Sequence, residues 1–349
     1  MRPEPFRIEP IFSPRLWGAR SLAPLFPEKT NLTEPLGEAW LTGVNCRIAS
    51  GPFAGKSLGA AWAEMPVEWR GRGFASQVSF PLLVKFIFPT EKLSLQVHPD
   101  DAYAAAHEQT AGGRGKTEMW HAVSALPGAQ LLLGLKPGVD EERFRAGLVS
   151  HTLEDLFETH TVRTGDTFFV PPGTAHSIGP NLIVCEVQEY SDLTYRVYDY
   201  GRVDARGKLR ELHIDKALQV MKFGKPGSGK VPSLLLSTEG ATRSLLAACR
   251  YFATERWECS AKCQIAVNPE RFELIVILEG AGSFVWPDNA ARYRRGECWL
   301  APASQGHVEV LPETATSLIR TFVPDIPVLR TELHRNGVSA AALAQVIFD

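Results

Sequence analysis

Read for its hydrophobic rhythm, the chain is a succession of short apolar runs punctuated by proline and glycine. Phe80-Pro81-Leu82-Leu83-Val84-Lys85-Phe86-Ile87-Phe88 predicts a strand that is apolar throughout except for one lysine. In Leu93-Ser94-Leu95-Gln96-Val97-His98 aliphatic and polar side chains alternate, the period of a strand with two unlike faces. Further strands are predicted over Lys116-Thr117-Glu118-Met119-Trp120-His121-Ala122-Val123, Leu131-Leu132-Leu133-Gly134-Leu135, the residues before Pro171, and Phe272 to Gly280. Helices are few and short: Leu58 to Trp69, Ala102 to Ala106 behind Asp100-Asp101, Glu141 to Leu148 behind Asp140, and Leu153 to Phe157 behind Thr152. The aromatic, turn-rich opening (Trp17-Gly18, Gly37-Glu38-Ala39-Trp40) reads as a segment that wraps or caps a domain, its tryptophans as packing groups, with stacking on a sugar as the alternative. The chain therefore reads as mainly β with short accessory helices.

One segment recurs. Gly165-Asp166-Thr167-Phe168-Phe169-Val170-Pro171-Pro172-Gly173-Thr174-Ala175-His176 and Gly296-Glu297-Cys298-Trp299-Leu300-Ala301-Pro302-Ala303-Ser304-Gln305-Gly306-His307 carry glycine, acid, proline and histidine in one register. Each copy follows a β-rich region, and Lys225-Pro226-Gly227-Ser228-Gly229-Lys230 has the composition of a linker. Two related β-barrel units in tandem follow: 1–220 with the wrapping segment and helices, a linker over 221–232, and 233–349.

The polar face of the Leu93 strand is expensive to bury unless something uses it. Gln96 and His98, two residues apart, point the same way and could serve a metal ion; a solvated polar face is the plain alternative. Glu118 shares a strand face with Lys116 and Trp120, so a carboxylate and an ammonium can enter one cavity. Lys85 either snorkels outward or points into that cavity. Gly115-Lys116-Thr117 resembles the end of a phosphate loop, but Thr110 stands where that pattern needs glycine and a strand follows, so a nucleotide loop is rejected. The second unit has no histidine on its Phe272 strand, which leaves the His307 of its repeated segment alone and predicts one metal site, in the first unit, from Gln96, His98, Glu118 and His176. His107 and His121 read as surface histidines and Glu189 as solvated.

Composition narrows the classes. A net charge of −2 over 349 residues gives no general affinity for nucleic acid or anionic membrane. Six scattered cysteines without a C-x-x-C pair read as reduced thiols, and with no apolar signal core or membrane-length stretch the expected location is the cytoplasm.

Gly165 to His176 resembles the second motif of the cupin (jelly-roll) barrel, whose histidine is typically a metal ligand. The ordered set Phe80–Lys85, Leu93–Asp101, Lys116-Thr117-Glu118, Val170–His176 and Tyr195-Arg196-Val197-Tyr198-Asp199-Tyr200-Gly201-Arg202 is more specific. Together these segments resemble the type I mannose-6-phosphate isomerases, especially the compact bacterial form. Trp17-Gly18, Gly37–Trp40 and Leu212-His213-Ile214-Asp215-Lys216-Ala217 also fit, so the likeness runs from about residue 8 to 220. It implies two tandem cupin barrels, one Zn²⁺ per chain held by Gln96, His98, Glu118 and His176, and a small sugar-phosphate substrate. Arg196 would be the catalytic arginine, Lys116 and Glu186 would lie in the active site, and Ser94 and Lys85 would line it. Phe88 stands where related enzymes often have aspartate, and the large helical insertion of longer members is absent. A monomer or homodimer is expected.

Such enzymes interconvert mannose 6-phosphate and fructose 6-phosphate through a cis-enediolate, which requires stabilised oxyanions, a proton shuttle and a held phosphate. Arg196 stays protonated at neutral pH and so stabilises charge or clamps phosphate. Lys116, its pKa pushed down by an adjacent zinc, and Glu186 are rival bases; Arg202 and Lys85 are candidate phosphate contacts. Two other readings stand beside this one. In a sugar-binding cupin without turnover, Arg196 beside intact ligands would have no purpose; in an iron-dependent oxygenase, Gln96 would be out of place.

Overall fold

The computed structural model describes residues 3–203, 206–224, 229–236, 239–287 and 289–348. Residues 225–228, the centre of the expected linker, lie outside the described residues. Four antiparallel sheets make up the fold, two in each half of the chain. In the first half a seven-stranded sheet runs, in spatial order, Lys230–Val231, Thr167–Val170, Glu118–Ala125, Leu182–Glu189, Leu82–Ile87, Leu36–Trp40 and Ile11–Ala19. A five-stranded sheet of Tyr195–Tyr198, Leu95–Val97, His176–Ile178, Gln130–Leu135 and Phe157–Thr161 completes this half. The second half repeats the plan. Its seven-stranded sheet contains Cys298–Ala301, Glu273–Glu279, Thr316–Phe322 and Ala253–Cys259 as inner strands, and its four-stranded sheet runs Cys263–Ala266, His307–Pro312, Ala281–Trp286 and Asn289–Arg294.

Strand alternation assigns each residue to one of two interiors. In the first half Ile87, Trp120, Phe168 and Val184 turn toward Leu131, Leu133 and Ile178 of the five-stranded sheet and form a core between the two sheets. Their immediate neighbours Phe86, Met119, Phe169 and Cys185 turn the other way. They join Leu245, Leu274, Val276, Leu300 and Ile319 in one apolar cluster shared by both halves. Lys85, Glu118 and Glu186 have the inward parity, which sends them into the first half's interior instead of into this shared cluster.

The opening segment supplies strands instead of merely wrapping. Ile11–Ala19 and Leu36–Trp40 extend the first large sheet, while Phe6–Ile8 pairs with Cys298–Ala301 of the second half. The expected Leu58–Trp69 helix is broken at Pro66 into Leu58–Glu64 and Val67–Arg70, as proline's missing donor dictates. Asp100 caps Asp101–His107 and Asp140 caps Glu141–Ser150, each accepting from a first-turn amide. Thr152 makes no side-chain cap; Leu153–Leu156 is a single 3₁₀ turn, and Phe157 begins a strand paired with Gln130–Leu135. Among the described residues no helix is long and apolar enough to cross a membrane.

Helix Leu58–Glu64 meets the second half through an aromatic knot. Trp62 contacts Phe74, Phe80 and Phe272 with ring centroids 6.0, 5.2 and 5.2 Å away. Phe272 is wholly buried and also touches Phe80 at 5.2 Å. Replacing Phe272 with alanine should therefore lower stability by about 3–5 kcal/mol in urea unfolding. A loss under about 1 kcal/mol would mean that the knot does not hold the halves together.

Candidate metal centre

The centre is assembled where the two sheets of the first half converge. Register sets its members: Gln96 lies opposite both His176 and Arg196, while Glu186 lies between Lys85 and Trp120 on neighbouring strands. The ligating atoms of His98, Glu118 and His176 lie within 4.8 Å of one another, and all three residues are buried. Both imidazoles are oriented by the backbone. Nδ1 of His98 is 2.8 Å from the Leu193 carbonyl and Nδ1 of His176 is 2.9 Å from that of Thr174, so each donates there and presents a bare Nε2 inward. Burial pushes both imidazoles below their ordinary pKa, His176 to about 3.

The donors at this centre suit a cation. Nε2 of His98 is 2.7 Å from Oε1 of Glu118, two acceptors facing each other that need positive charge shared between them. Lys116 Nζ supplies some, at 2.8 Å from the carboxylate and 3.4 Å from the imidazole. Two imidazole nitrogens and a carboxylate form a set suited to a divalent metal, and Gln96 stands beside them, its amide Nε2 donating to Nε2 of His176 at 3.2 Å. Trp120 Nε1 donates to Oε2 of Glu118 at 2.7 Å and to Oε2 of Glu186 at 3.2 Å, fixing both carboxylates.

Beside this set opens a cavity of about 450 Å³, lined by Ser94, Gln96, Lys85, Lys116, Trp120 and Glu186 on its floor. Lys85 points into it. It lies 2.9 Å from Asp192 and 3.7 Å from Glu186, and although burial alone would lower its pKa, Asp192, Glu38 and Glu186 raise it. Lys116 behaves likewise: burial would lower it, but Glu118 and Glu186 hold it above the ordinary lysine value. For Glu186 burial dominates and moves the carboxyl up to about 7.

Arginines surround the mouth. Arg15, Arg196 and Arg210 all line it. Arg15 is held by Glu38 at 2.8 Å, Arg210 reaches Asp199 at 3.4 Å, and Arg196 donates to the Glu211 carbonyl at 2.9 Å while its buried Nε has no partner. Arg202 is turned away from the cavity: its guanidinium donates to Asp199 and, at 2.6 Å, to the Lys92 carbonyl. Sequence reasoning missed Arg15 and Arg210, because each enters from a segment without metal-ligand spacing. His121 is 2 % exposed beside Thr167, and Glu189 is 5 % exposed; neither is a surface group. The six cysteines are buried and unpaired.

No family model matches the chain. It is 33% identical over 313 residues to a probable mannose-6-phosphate isomerase of Bacillus subtilis, covering 88% of this chain and 96% of that one. The chain belongs to the mannose-6-phosphate isomerase family. A mannose-6-phosphate isomerase of Streptococcus mutans is 32% identical over 304 residues, covering 86% and 92% of the two chains. The crystal structure of a Bacillus subtilis mannose 6-phosphate isomerase superposes with a TM-score of 0.83 at 29% identity, over 91% of this chain and 99% of the other.

Within this family member the second half carries a different solution at matching positions. Glu118 pairs in register with Val170, and Glu273 pairs with Ala301, the same place in the repeated segment. Following the ladder onward, Arg320 takes the place of Glu186, Glu255 that of Lys85 and Ala266 that of Gln96. Arg320 is buried and donates to both oxygens of Glu273, at 2.6 and 2.5 Å, to Glu255 at 3.3 Å and to the Ala266 carbonyl at 2.7 Å. Burial alone would raise the Glu255 pKa, but Arg320 and Arg243 bring it down to about 2. A depressed carboxyl contributes stability above its unfolded value and loses it as pH falls through the folded one. The stability gap between the wild-type chain and Glu255→Gln should thus shrink by about 3 kcal/mol as pH drops from about 5 toward 2. Denaturation at stepped pH measures this, and a gap constant across that window would refute it.

Proposed function

We propose that this chain is a zinc-dependent aldose–ketose isomerase that interconverts mannose 6-phosphate and fructose 6-phosphate through a cis-enediolate. The observation that carries the reading is one cavity with two unlike ends. Its floor, formed by Gln96, Lys116, Trp120 and Glu186, adjoins the buried His98, Glu118 and His176 cluster, and its mouth holds three arginines. The family relationship supports the same substrate.

Gln96, His98, Glu118 and His176 would hold the zinc ion, with Glu118 the only anion among them. When bound, zinc supplies Lewis-acid stabilisation of charge developing on sugar oxygens. Lys116 and Glu186, 3.9 Å apart at the floor, move the proton between the first two carbons of the open-chain sugar. Ser94 and Lys85 orient hydroxyls, with Trp120 keeping both carboxylates in place. At the mouth Arg196, Arg15 and Arg210 face the phosphate, and Arg202 acts behind them by holding Asp199. The division into a catalytic unit over 1–220, a linker over 221–232 and a metal-free unit over 233–349 belongs to the same reading, as do cytoplasmic residence and a monomer or homodimer. Arg320 occupying the second half's central position supports the metal-free assignment.

A coupled assay of fructose 6-phosphate formation, before and after chelation and with zinc restored, tests the reaction and the ion together. Activity should vanish with the metal and return with it; full turnover in the metal-free chain would defeat the proposal. His98→Ala and Glu118→Ala should lose zinc and activity together, whereas Arg196→Ala should keep zinc and lose activity. Arg15→Ala and Arg210→Ala should each raise KM for mannose 6-phosphate by about tenfold or more, as expected for a charge-assisted contact. Unchanged KM in both would remove the phosphate from the arginine mouth.

A further inference from the structure

Lys116 precedes the first residue of its strand, Glu118–Ala125, so no sheet ladder holds its backbone. Three other contacts hold it. The Gly115 amide donates to Oδ1 of Asp101 at 2.9 Å, the Lys116 amide to the Pro99 carbonyl at 3.0 Å, and the Thr117 amide to Oε1 of Glu189 at 2.7 Å. Gly115 lies so close to this support that a Cβ there would sit 2.6 Å from the Asp101 nitrogen. Asp101 and Glu189 thus brace the amides on either side of Lys116. Burial, followed by the charge on Asp101, lifts the Glu189 carboxyl to about 8.

The far side of this carboxyl pair is held by the other half of the chain. Tyr251 donates to Oδ2 of Asp101 at 2.5 Å, and Arg250 donates to the same oxygen at 3.0 Å. Both residues sit in the turn between strands Ala241–Ala248 and Ala253–Cys259. A continuous hydrogen-bonded path therefore runs from the second half through Asp101 to the Gly115 amide, while Glu189, beside Asp101, holds the Thr117 amide on the other side of Lys116.

We propose that Tyr251 and Arg250 are positioning residues that act through Asp101 and Glu189 to set the placement of Lys116 and Glu118. The second half thereby takes part in the reaction without touching substrate or metal. The inference rests on the reading of Glu118 as a ligand and Lys116 as part of the proton shuttle.

The test uses the full-length chain loaded with zinc and the variants Tyr251→Phe, Glu189→Leu and Glu189→Gln. Three quantities are measured: kcat and KM for mannose 6-phosphate, zinc affinity by competition with a chromogenic chelator, and the thermal midpoint. Glu189→Leu strands the Thr117 amide and should reduce kcat or zinc affinity about 10- to 100-fold, the range seen when groups supporting a metal centre are lost. Glu189→Gln retains an acceptor for that amide and should restore most of the loss. Tyr251→Phe should lower kcat about fivefold, roughly one hydrogen bond, with KM unchanged. The proposal is overturned if Glu189→Leu and Tyr251→Phe keep wild-type kcat and zinc affinity. It is equally overturned if their losses follow the thermal midpoint alone and Glu189→Gln rescues nothing. A His98→Ala control separates the two readings: full turnover there would remove the metal centre, while the kcat of Tyr251→Phe would still decide the positioning.

Discussion

Charged groups placed on the inner face of one sheet have to neutralise one another. Lys85, Lys116, Glu118 and Glu186 are each less than 5 % exposed, and an isolated charge at such depth would be driven to its neutral form. Register interleaves Lys85, Glu118 and Glu186, Lys116 joins them from the segment just before its strand, and the Trp120 indole bridges the carboxylates. The rest of the site follows from this face. The histidines close it from the five-stranded sheet, the cavity opens where it meets solvent, and the apolar residues of opposite parity are left to join the two halves.

Much of this was legible in the amino-acid order because strand alternation is a local property. The period of Leu93 to His98 put Gln96 and His98 on one face, and the proline–glycine turn before His176 marked where a histidine would project. Lys85 was legible only as a choice between two directions; parity with Ile87 and pairing with Glu186 decide it. What escaped is non-local. Arg15 and Arg210 reach the mouth from the opening strand and from the loop after Tyr200, and nothing near them in sequence refers to the cavity. His121 and Glu189 look like ordinary polar residues until the packing of the two halves buries them. Thr152 has the composition of a cap, but the segment after it is committed to a strand whose pairing lies 20 residues or more upstream.

The two halves share a scaffold and diverge in how they handle buried charge. In the first, histidines and carboxylates point at a common space beside a cavity, and the arrangement is open to solvent on one side. In the second, the guanidinium of Arg320 fills the corresponding space and uses planar donors to satisfy two carboxylates and a carbonyl.

Arg320 is in effect a counter-ion attached to the polypeptide. It is made by the ribosome with the chain, is present at fixed stoichiometry from the moment of folding, and cannot be taken by a chelator or replaced by a competing ion. The repeated plan thus carries a tethered cation in one half and, in the other, a His98, Glu118 and His176 group that could hold a metal ion. The charge balance at the centre of the second half is thereby inherited with the gene, whereas any ion seated among His98, Glu118 and His176 would have to come from the surroundings.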